Sequence, residues 1–339
     1  MFNNKNILVT GGTGSFGQEF VKYILKNYKP KKIIIFSRDE LKQSQMSQLT
    51  HIKKNYHRVR FFIGDIRSKQ RLVTAFSNKI DYIIHAAALK QVPSCEYNPY
   101  ETIQTNVLGA QNIIEASIET GVKSVIALST DKASSPINLY GATKLASDKL
   151  FIAGNNISKN TKFSIVRYGN VFGSRGSVVP FFLENKKKGI LPITHKDMTR
   201  FNISLIDGVK FVIESFKKMF GGEIFVPKLY SYNILDVAKA IDPACKLKIV
   251  GIRPGEKLHE EMISISESLN TVEGNNWYAI LPKSEFVKWK EKDFLKKNMC
   301  KKIKNPFSYN SFDNKKYLKA TELKILTKKF ISDNENKLR

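Results

Sequence analysis

The sequence predicts an α/β fold, a doubly wound parallel sheet followed by a smaller C-terminal α/β region. Three features carry that expectation. An apolar run at 5–10 meets the turn Gly11-Gly12-Thr13-Gly14-Ser15-Phe16-Gly17 and then a helical pattern through Phe20, Val21, Ile24 and Leu25. Short β-branched runs go on alternating with helical periods for about 170 residues, the signature of βαβ units and a parallel sheet. Beyond residue 170 the alternation loosens into shorter pieces. The chain therefore divides into 1–170, 171–275 and 276–339: a nucleotide-binding domain that also holds the reactive side chains, a mainly substrate-binding region, and a segment packing on the body.

Each element follows from local chemistry. Glycines at 11, 14 and 17 permit a tight turn and close backbone approach, and the helix behind them points free N–H groups at a pair of phosphates. Gly11, Thr13, Gly14, Ser15, Phe16 and Gly17 are expected around a dinucleotide, in a Rossmann-type arrangement. The second strand, 32–36, ends in Ser37-Arg38-Asp39. A hydroxyl followed by an arginine suits a ribose 2′-phosphate, and Lys42 adds charge one turn on, so NADP is favoured; Asp39 keeps an NAD-type ribose contact open. The third strand, 58–63, brings Asp65 toward an adenine amino group and Ile66 toward the ring, while a carboxylate capping the helix from residue 68 is the plain structural reading. The fourth, 80–85, leads into Ala86, Ala87 and Ala88, small enough for a cofactor backbone to pass, and on to Lys90. His85 at its end reads equally as a hydrogen-bonded strand terminus and is left out of proton transfer. A helix at 101–120 carries Asn106, whose amide is costly to bury without partners.

The chemistry concentrates at 129–144. A strand at 122–129 ends in Thr130, Asp131 and Lys132, and a helix at 140–157 opens with Tyr140. Lys144 lies four residues on, hence on the same face, where its ammonium favours the phenolate. A hydroxyl, a carboxyl, an amine and a phenol this close together exceed what alcohol oxidation needs; a salt-bridged turn is the plain reading of Asp131 and Lys132. A strand at 162–167 completes the alternation. The second region reads as a helix from 176, a polar connection at 194–203, an amphipathic helix at 205–219, a strand at 224–226, a helix at 234–241 and a strand at 246–250. The loop 251–257 presents Arg253, and Arg175, Arg200 and Arg253 would hold a diphosphate if they converge; each alone reads as surface solvation. Trp277 and Tyr278 anchor the last segment, which ends in a helical pattern at 320–331.

Composition bounds the alternatives. The chain has 339 residues, no apolar stretch of membrane-spanning length and only Cys95, Cys245 and Cys300, too scattered for a disulfide framework or a metal site. A reducing cytoplasm is expected. The formal charge of +26 raises nucleic acid as a partner, yet residues 288–339 alone hold sixteen basic against six acidic groups and no nucleic-acid-binding motif accompanies them, so none is expected.

Thr-Gly-Gly-Thr-Gly-Ser-Phe-Gly at 10–17, Ser-Arg-Asp-Glu-Leu-Lys at 37–42, Ser-Thr-Asp-Lys-Ala at 129–133, Tyr-Gly-Ala-Thr-Lys at 140–144 and Arg-Pro-Gly-Glu-Lys at 253–257 resemble the extended short-chain dehydrogenase/reductases. Within them the chain is similar to the inverting UDP-N-acetylglucosamine 4,6-dehydratases of pseudaminic acid biosynthesis. The likeness includes Arg-Tyr-Gly-Asn-Val at 167–171 and Met-Thr-Arg-Phe at 198–201; Asn202 stands where that family often has Trp. It implies an NADP-dependent enzyme, a homo-oligomer and often a hexamer. It implies Tyr140, Lys144, Thr130, Asp131 and Lys132 as the catalytic set, with Lys132 a neutral base and Asp131 a protonated acid. It places Asn170, Val178, Thr199, Arg200, Arg253 and Glu256, with Lys90, on a sugar nucleotide. A sugar-nucleotide 4-epimerase and a noncatalytic dinucleotide-binding scaffold are the alternatives.

Overall fold

The computed structural model describes residues 1–338 apart from Asn78, Arg175, Gly176, Ser284 and Phe286. Arg175, one of the three arginines expected at a diphosphate, lies outside the described residues. The first six strands are β1 (Asn6–Thr10), β2 (Lys32–Ser37), β3 (Val59–Ile63), β4 (Tyr82–His85), β5 (Ser124–Thr130) and β6 (Lys162–Tyr168). They are followed by β7 (Ile190–Ile193), β8 (Thr199–Asn202), β9 (Ile224–Pro227), β10 (Tyr230–Asn233) and β11 (Lys246–Ile249). The last are β12 (Glu261–Ile263), β13 (Thr271–Glu273), β14 (Trp277–Ile280), β15 (Lys301–Lys302) and β16 (Tyr309–Asn310).

Among the described residues the main sheet runs β3-β2-β1-β4-β5-β6-β9-β14-β13-β15. It is parallel from β3 to β9 and antiparallel beyond. Central strands such as Ile7-Leu8-Val9 and Ile33-Ile34-Ile35 are buried on both faces, which is why they read as continuous apolar runs rather than alternating ones. The helices Ser15–Asn27 and Leu205–Lys218 bury Phe20, Val21 and Ile24 and Val209, Val212 and Phe216 on one face. Phe2 sits edge-on between their rings, 6.3 Å from Phe20 and 5.8 Å from Phe216. Strand order reverses between β1 and β4, and the crevice at their carboxyl ends is where such sheets bind ligands.

The second region is built from two two-stranded pairs, β8–β10 antiparallel and β7–β11 parallel. Its own core gathers Val179, Phe182, Leu191, Ile193, Val237 and Leu323. The polar connection expected at 194–203 is thus partly a strand, β8, because pairing with β10 buries Thr199, Arg200 and Phe201 despite their polar neighbours. Residues beyond 270 divide between the two cores. The strands β13 to β15 extend the main sheet, and the helix Ala320–Leu338 lies against the helix Ile234–Ile241. The helix expected at 101–120 is interrupted: Pro99–Ile103 and Gly109–Glu119 flank a π-helical turn, Gln104–Leu108.

One buried cation ties the sheet to β12. Arg167, fully buried on β6, donates through one terminal nitrogen to both Glu267 oxygens at 2.9 and 3.0 Å and to the Met262 carbonyl at 3.0 Å. Its other terminal nitrogen is 3.5 Å from Asp148. Arg167→Met strips Glu267 and Asp148 of a shared buried cation, leaving Asp148 only the Lys144 cation, and is expected to lower unfolding free energy by about 3–5 kcal/mol in urea titration.

Candidate active site

The helix Leu139–Ile157 sets the site's register. Asn138 caps it, accepting from the Gly141 amide at 2.7 Å, while its own amide donates to the Gly255 carbonyl at 2.7 Å. One side chain therefore fixes the start of the helix and ties the 251–257 loop to it. Helical spacing then stacks Tyr140, Lys144 and Asp148. A Cβ on Gly141 would collide with the Lys132 carbonyl, so the turn bearing Lys132 lies directly against the first turn of this helix. Burial pushes the Tyr140 phenol up to about 12, opposed by the charge of Lys132 and by Thr130, which is within hydrogen-bonding reach. The cation easing Tyr140 toward ionisation in the free protein is thus Lys132, on the neighbouring turn. Lys144 is buried, which pulls its ammonium below the ordinary lysine range, with Asp148 below it opposing.

The turn Asp131–Ala133 continues directly from β5. Asp131 is 1% exposed. Its Oδ1 accepts from the Thr130 hydroxyl at 2.9 Å and the Lys132 ammonium at 3.1 Å, and its Oδ2 is buried without a partner. Burial raises this carboxyl above its ordinary value; Lys132 pulls the other way and Glu260 adds to the rise. Both contacts at Oδ1 are accepted hydrogen bonds, so a proton on this carboxyl would sit on Oδ2.

Lys132 departs from the sequence expectation of an amine that loses its proton more easily than a free lysine. Burial does pull it that way, but Asp131 and Glu260 outweigh burial and the net shift is upward. Its Nζ donates to Glu260 Oε1 at 2.8 Å. The free protein holds Lys132 as an ammonium. Glu260, also 1% exposed, is the residue that sequence reasoning missed. It follows the Arg-Pro-Gly-Glu-Lys motif by three positions, and that proximity was the only signal for it. Arg200 Nε lies 3.7 Å from the same oxygen, and Arg200 also donates to the Thr199 and Leu258 carbonyls at 2.7 and 3.1 Å.

On the nucleotide side the glycine turn is as the sequence required. Gly11 has a φ of +63°, and a Cβ there would approach the Ala87 backbone to 2.9 Å; one on Gly17 would strike Gly12. Gly14 caps the helix Ser15–Asn27 with no side-chain hydrogen bond, leaving its first N–H groups free for a diphosphate. Thr13 is buried, and Phe16 stacks between Phe20 and Tyr168 at 6.1 and 6.4 Å. The Ala86 and Ala87 amides donate to the Thr10 hydroxyl at 3.2 and 3.3 Å. That hydroxyl also pairs with His85 Nδ1 at 2.8 Å, and burial holds the histidine neutral, its pKa lowered to about 3. The bare glycine turn and the small residues facing it fit a dinucleotide.

The Ser37 hydroxyl accepts from Gln43 at 2.9 Å. Arg38 reaches Asp65 at 3.5 Å, and Lys42 holds Asp39 at 2.8 Å. Asp65 is bound more closely by Arg67, at 2.8 Å, and the cap of the helix Lys69–Phe76 is Ser68, not Asp65. Ile66 is buried against Gly109. Lys90 is exposed beyond β4. Asn106, in the π turn, clamps the Leu89 backbone, accepting its N–H at 2.9 Å and donating to its carbonyl at 2.8 Å, and also donates to Thr143 at 3.1 Å. It holds the loop after β4 against the helix Leu139–Ile157.

On the sugar side Thr199 is spoken for by His259 and Ser311, at 2.8 and 2.7 Å. Arg253 is exposed, its guanidinium 5.8 Å from the Phe181 ring, and its amide meets Glu256 at 3.4 Å. Arg200 is buried in the Lys132–Glu260 cluster while Arg253 stands in solvent, so the two do not share one environment. Asn170 Oδ1 and Ser177 Oγ, the latter one residue before Val178, are buried without partners. Among the described residues no cluster of metal-ligating groups occurs and no helix is long and apolar enough to cross a membrane.

A glycine-turn dinucleotide crevice beside a Tyr-x-x-x-Lys helix is the layout of an extended short-chain dehydrogenase/reductase. Residues 7–282 match the family described as polysaccharide biosynthesis protein, and the chain belongs to that family of extended short-chain enzymes. It is 56% identical over 330 residues to UDP-N-acetylglucosamine 4,6-dehydratase (inverting) of Campylobacter jejuni, spanning 95% of this chain and 97% of that one. It is 43% identical over 290 residues to UDP-glucose 4-epimerase of Rickettsia bellii, spanning 83% and 84%. The X-ray structure of Pen from Bacillus thuringiensis superposes with a TM-score of 0.86 at 34% identity, covering 99% of each chain.

The raised carboxyl of Asp131 has a thermodynamic consequence. A folded-state pKa above the unfolded one contributes stability at low pH that is lost as pH rises, so at neutral pH an ionisable Asp131 costs stability. Asp131→Asn, which mimics the neutral acid, is expected to raise Tm by about 1–3 °C at pH 7 and by less near pH 4, read by calorimetry.

Proposed function

We propose that this protein is a C5-inverting UDP-N-acetylglucosamine 4,6-dehydratase using NADP, giving UDP-2-acetamido-2,6-dideoxy-β-L-arabino-hex-4-ulose. The observation that carries the reading is the buried Asp131, its carboxyl pushed upward by burial and its Oδ1 held by Lys132, close enough to Tyr140 to act on that phenol's ionisation. The likeness to the Campylobacter enzyme over nearly the whole chain supports it.

When bound, the dinucleotide supplies an acceptor for the C4 hydride and later returns it to C6, leaving no net oxidation. Tyr140 takes the proton of the 4-hydroxyl, its ionisation eased by Lys132 and by the positive charge of an oxidised nicotinamide. Thr130 orients the same oxygen. The C4 ketone acidifies the C5 hydrogen, which Lys132 removes, and Asp131 gives its proton to the departing 6-hydroxyl, which leaves as water. C5 is then reprotonated from the opposite face. Lys144, whose buried ammonium Asp148 helps to hold, lies one turn from Tyr140 on the same helix face.

The Rickettsia likeness supports a second reading, a sugar-nucleotide 4-epimerase, which needs Tyr140 and Lys144 but gives Asp131 no proton to deliver. Proton NMR of UDP-N-acetylglucosamine incubated with the protein and NADP+ in deuterated water separates the two. A C6 methyl signal with deuterium at C5 and arabino ring couplings is expected; an unchanged C6 carbinol with inverted C4 would establish the epimerase.

NADP rather than NAD rests on Arg38, whose 3.5 Å contact with Asp65 is loose enough for a 2′-phosphate to replace. Arg38→Ala is expected to weaken NADP+ binding about tenfold or more in fluorescence titration while leaving NAD+ affinity within about twofold. The resemblance also supports a cytoplasmic homo-oligomer, hexameric in that family, serving pseudaminic acid synthesis and flagellin glycosylation.

A further inference from the structure

Lys132 poses a contradiction that the site itself resolves. The dehydration needs a neutral amine at C5, and the free protein holds an ammonium clasped by two carboxyl groups, at 3.1 Å to Asp131 and 2.8 Å to Glu260. In the dehydratase reading Asp131 keeps its proton for the departing 6-hydroxyl, so it is not the acceptor. Glu260 can be. It lies 128 positions away in sequence and accepts the shorter hydrogen bond, and its Oε2 is buried with no partner. Burial and that bare oxygen work against its charge, which the neighbouring cations Lys132, Arg200 and Lys257 hold in the free protein. Its backbone is clamped as well: its amide donates to the Ser311 hydroxyl at 2.9 Å and its carbonyl accepts the Ser311 amide at 2.7 Å.

We propose that Glu260 is the proton acceptor that frees Lys132 to act at C5, and thereby a positioning residue of the dehydration. The inference rests on the dehydratase reading. The Lys132 ammonium and Glu260 carboxylate become an amine and a carboxylic acid by one transfer along the existing 2.8 Å hydrogen bond, with no change in net charge. A sugar nucleotide closing the crevice excludes water, and exclusion of water favours the neutral pair over the ion pair. The amine lone pair then forms an N–H bond with the C5 hydrogen, and the C–H electrons pass into the C4 carbonyl as an enolate. As the enolate collapses, the C6–O bond breaks and the hydroxyl leaves with the Asp131 proton as water. The site ends with an ammonium, a neutral Glu260 and an ionised Asp131, the same total charge as at the start.

The groups facing the pair are Asp131 on its turn, Arg200 from β8, Tyr232 from β10, Tyr140 from the catalytic helix and Lys257 from the loop before β12. Arg200 and Lys257 both favour the anionic form of Glu260, so the free enzyme rests as the ion pair and the transfer waits for the ligand.

Glu260→Gln keeps the hydrogen bond and removes the acceptor. The test follows C4 oxidation by reduced-cofactor absorbance and C5 exchange by deuterium incorporation, in native protein and variant, across neutral to alkaline pH. The expected result is C4 oxidation within about threefold of native and C5 exchange reduced by about 100-fold at pH 7. Internal transfer leaves the native exchange rate flat with pH. In the variant Lys132 must lose its proton to solvent, so the residual exchange climbs about tenfold per pH unit. Glu260→Asp is expected to restore part of the native rate and its flat profile. Exchange in Glu260→Gln that matches native with a flat profile overturns the proposal, as does equal loss of C4 oxidation and exchange, which marks a structural role. A native protein that oxidises C4 and never forms a C6 methyl sinks the dehydratase reading itself, and this inference with it.

Discussion

Charge buried beside the carboxyl ends of β5 and β6 is the constraint that the rest of the molecule serves. Asp131, Asp148 and Glu260 are each 1% exposed, and Lys144, Arg167 and Arg200 are at most 6% exposed. Carboxylates and ammonium groups taken out of water are costly singly, and they persist here because each is paired or has shifted its protonation. The partners come from distant parts of the chain: β5 brings Asp131, β6 brings Arg167, β8 brings Arg200, and the run into β12 brings Glu260. Folding the second region onto the sheet is therefore the same event as completing the site. Arg167 illustrates the economy, since it neutralises Asp148 under the catalytic helix while it holds Glu267 and the backbone of β12.

Much of this was legible from residue order. The strand, glycine turn and helix at the start, the parallel alternation through β6, and the face shared by Tyr140 and Lys144 all depend on local periodicity, and the structure has each of them within a residue or two at the ends. The strands β7, β8 and β10 were harder, because four-residue strands owe their existence to partners distant in sequence, as Thr199 pairs with Asn233. The π turn at Asn106 was invisible for a similar reason. Its irregular hydrogen bonding is offset by the Leu89 backbone, which periodicity does not see. Placement of the arginines diverged too: the motifs that suggested Arg200 and Arg253 as a pair did not reveal that one is buried in a charge cluster and the other is in solvent.

The protonation of Lys132 shows where sequence reasoning reaches its boundary. A lysine beside an aspartate in a buried turn can be a neutral base or a held cation, and the sign depends on whether a second carboxylate is present. Burial alone would free the proton; Glu260 reverses that. The deciding residue is far off in sequence, in a stretch, Leu258-His259-Glu260-Glu261, whose two acids look alike. One is buried on Lys132, while Glu261 accepts from Ser135 and Ser308 at 2.8 Å each, and nothing in residue order distinguishes them.

The same electrostatics separate dehydration from the simpler chemistry of related folds. Tyr140 over Lys144 provides for oxidation at C4, and a scaffold shared across 290 residues with an epimerase-named relative is what that common step requires. Losing water also needs an acid that stays protonated at neutral pH and a base that becomes neutral on demand, a few ångströms apart. Two isolated groups of that kind would interfere, since a neutral amine would take the acid's proton and an ammonium would favour its loss. The site avoids this by giving the acid and the base different carboxylate relations. Burial first and the Glu260 charge second push the Asp131 carboxyl upward, while Lys132 and Arg200 pull Glu260 down. The upward shift of Asp131 and the hold on the Lys132 ammonium thus share one contributor, the buried Glu260.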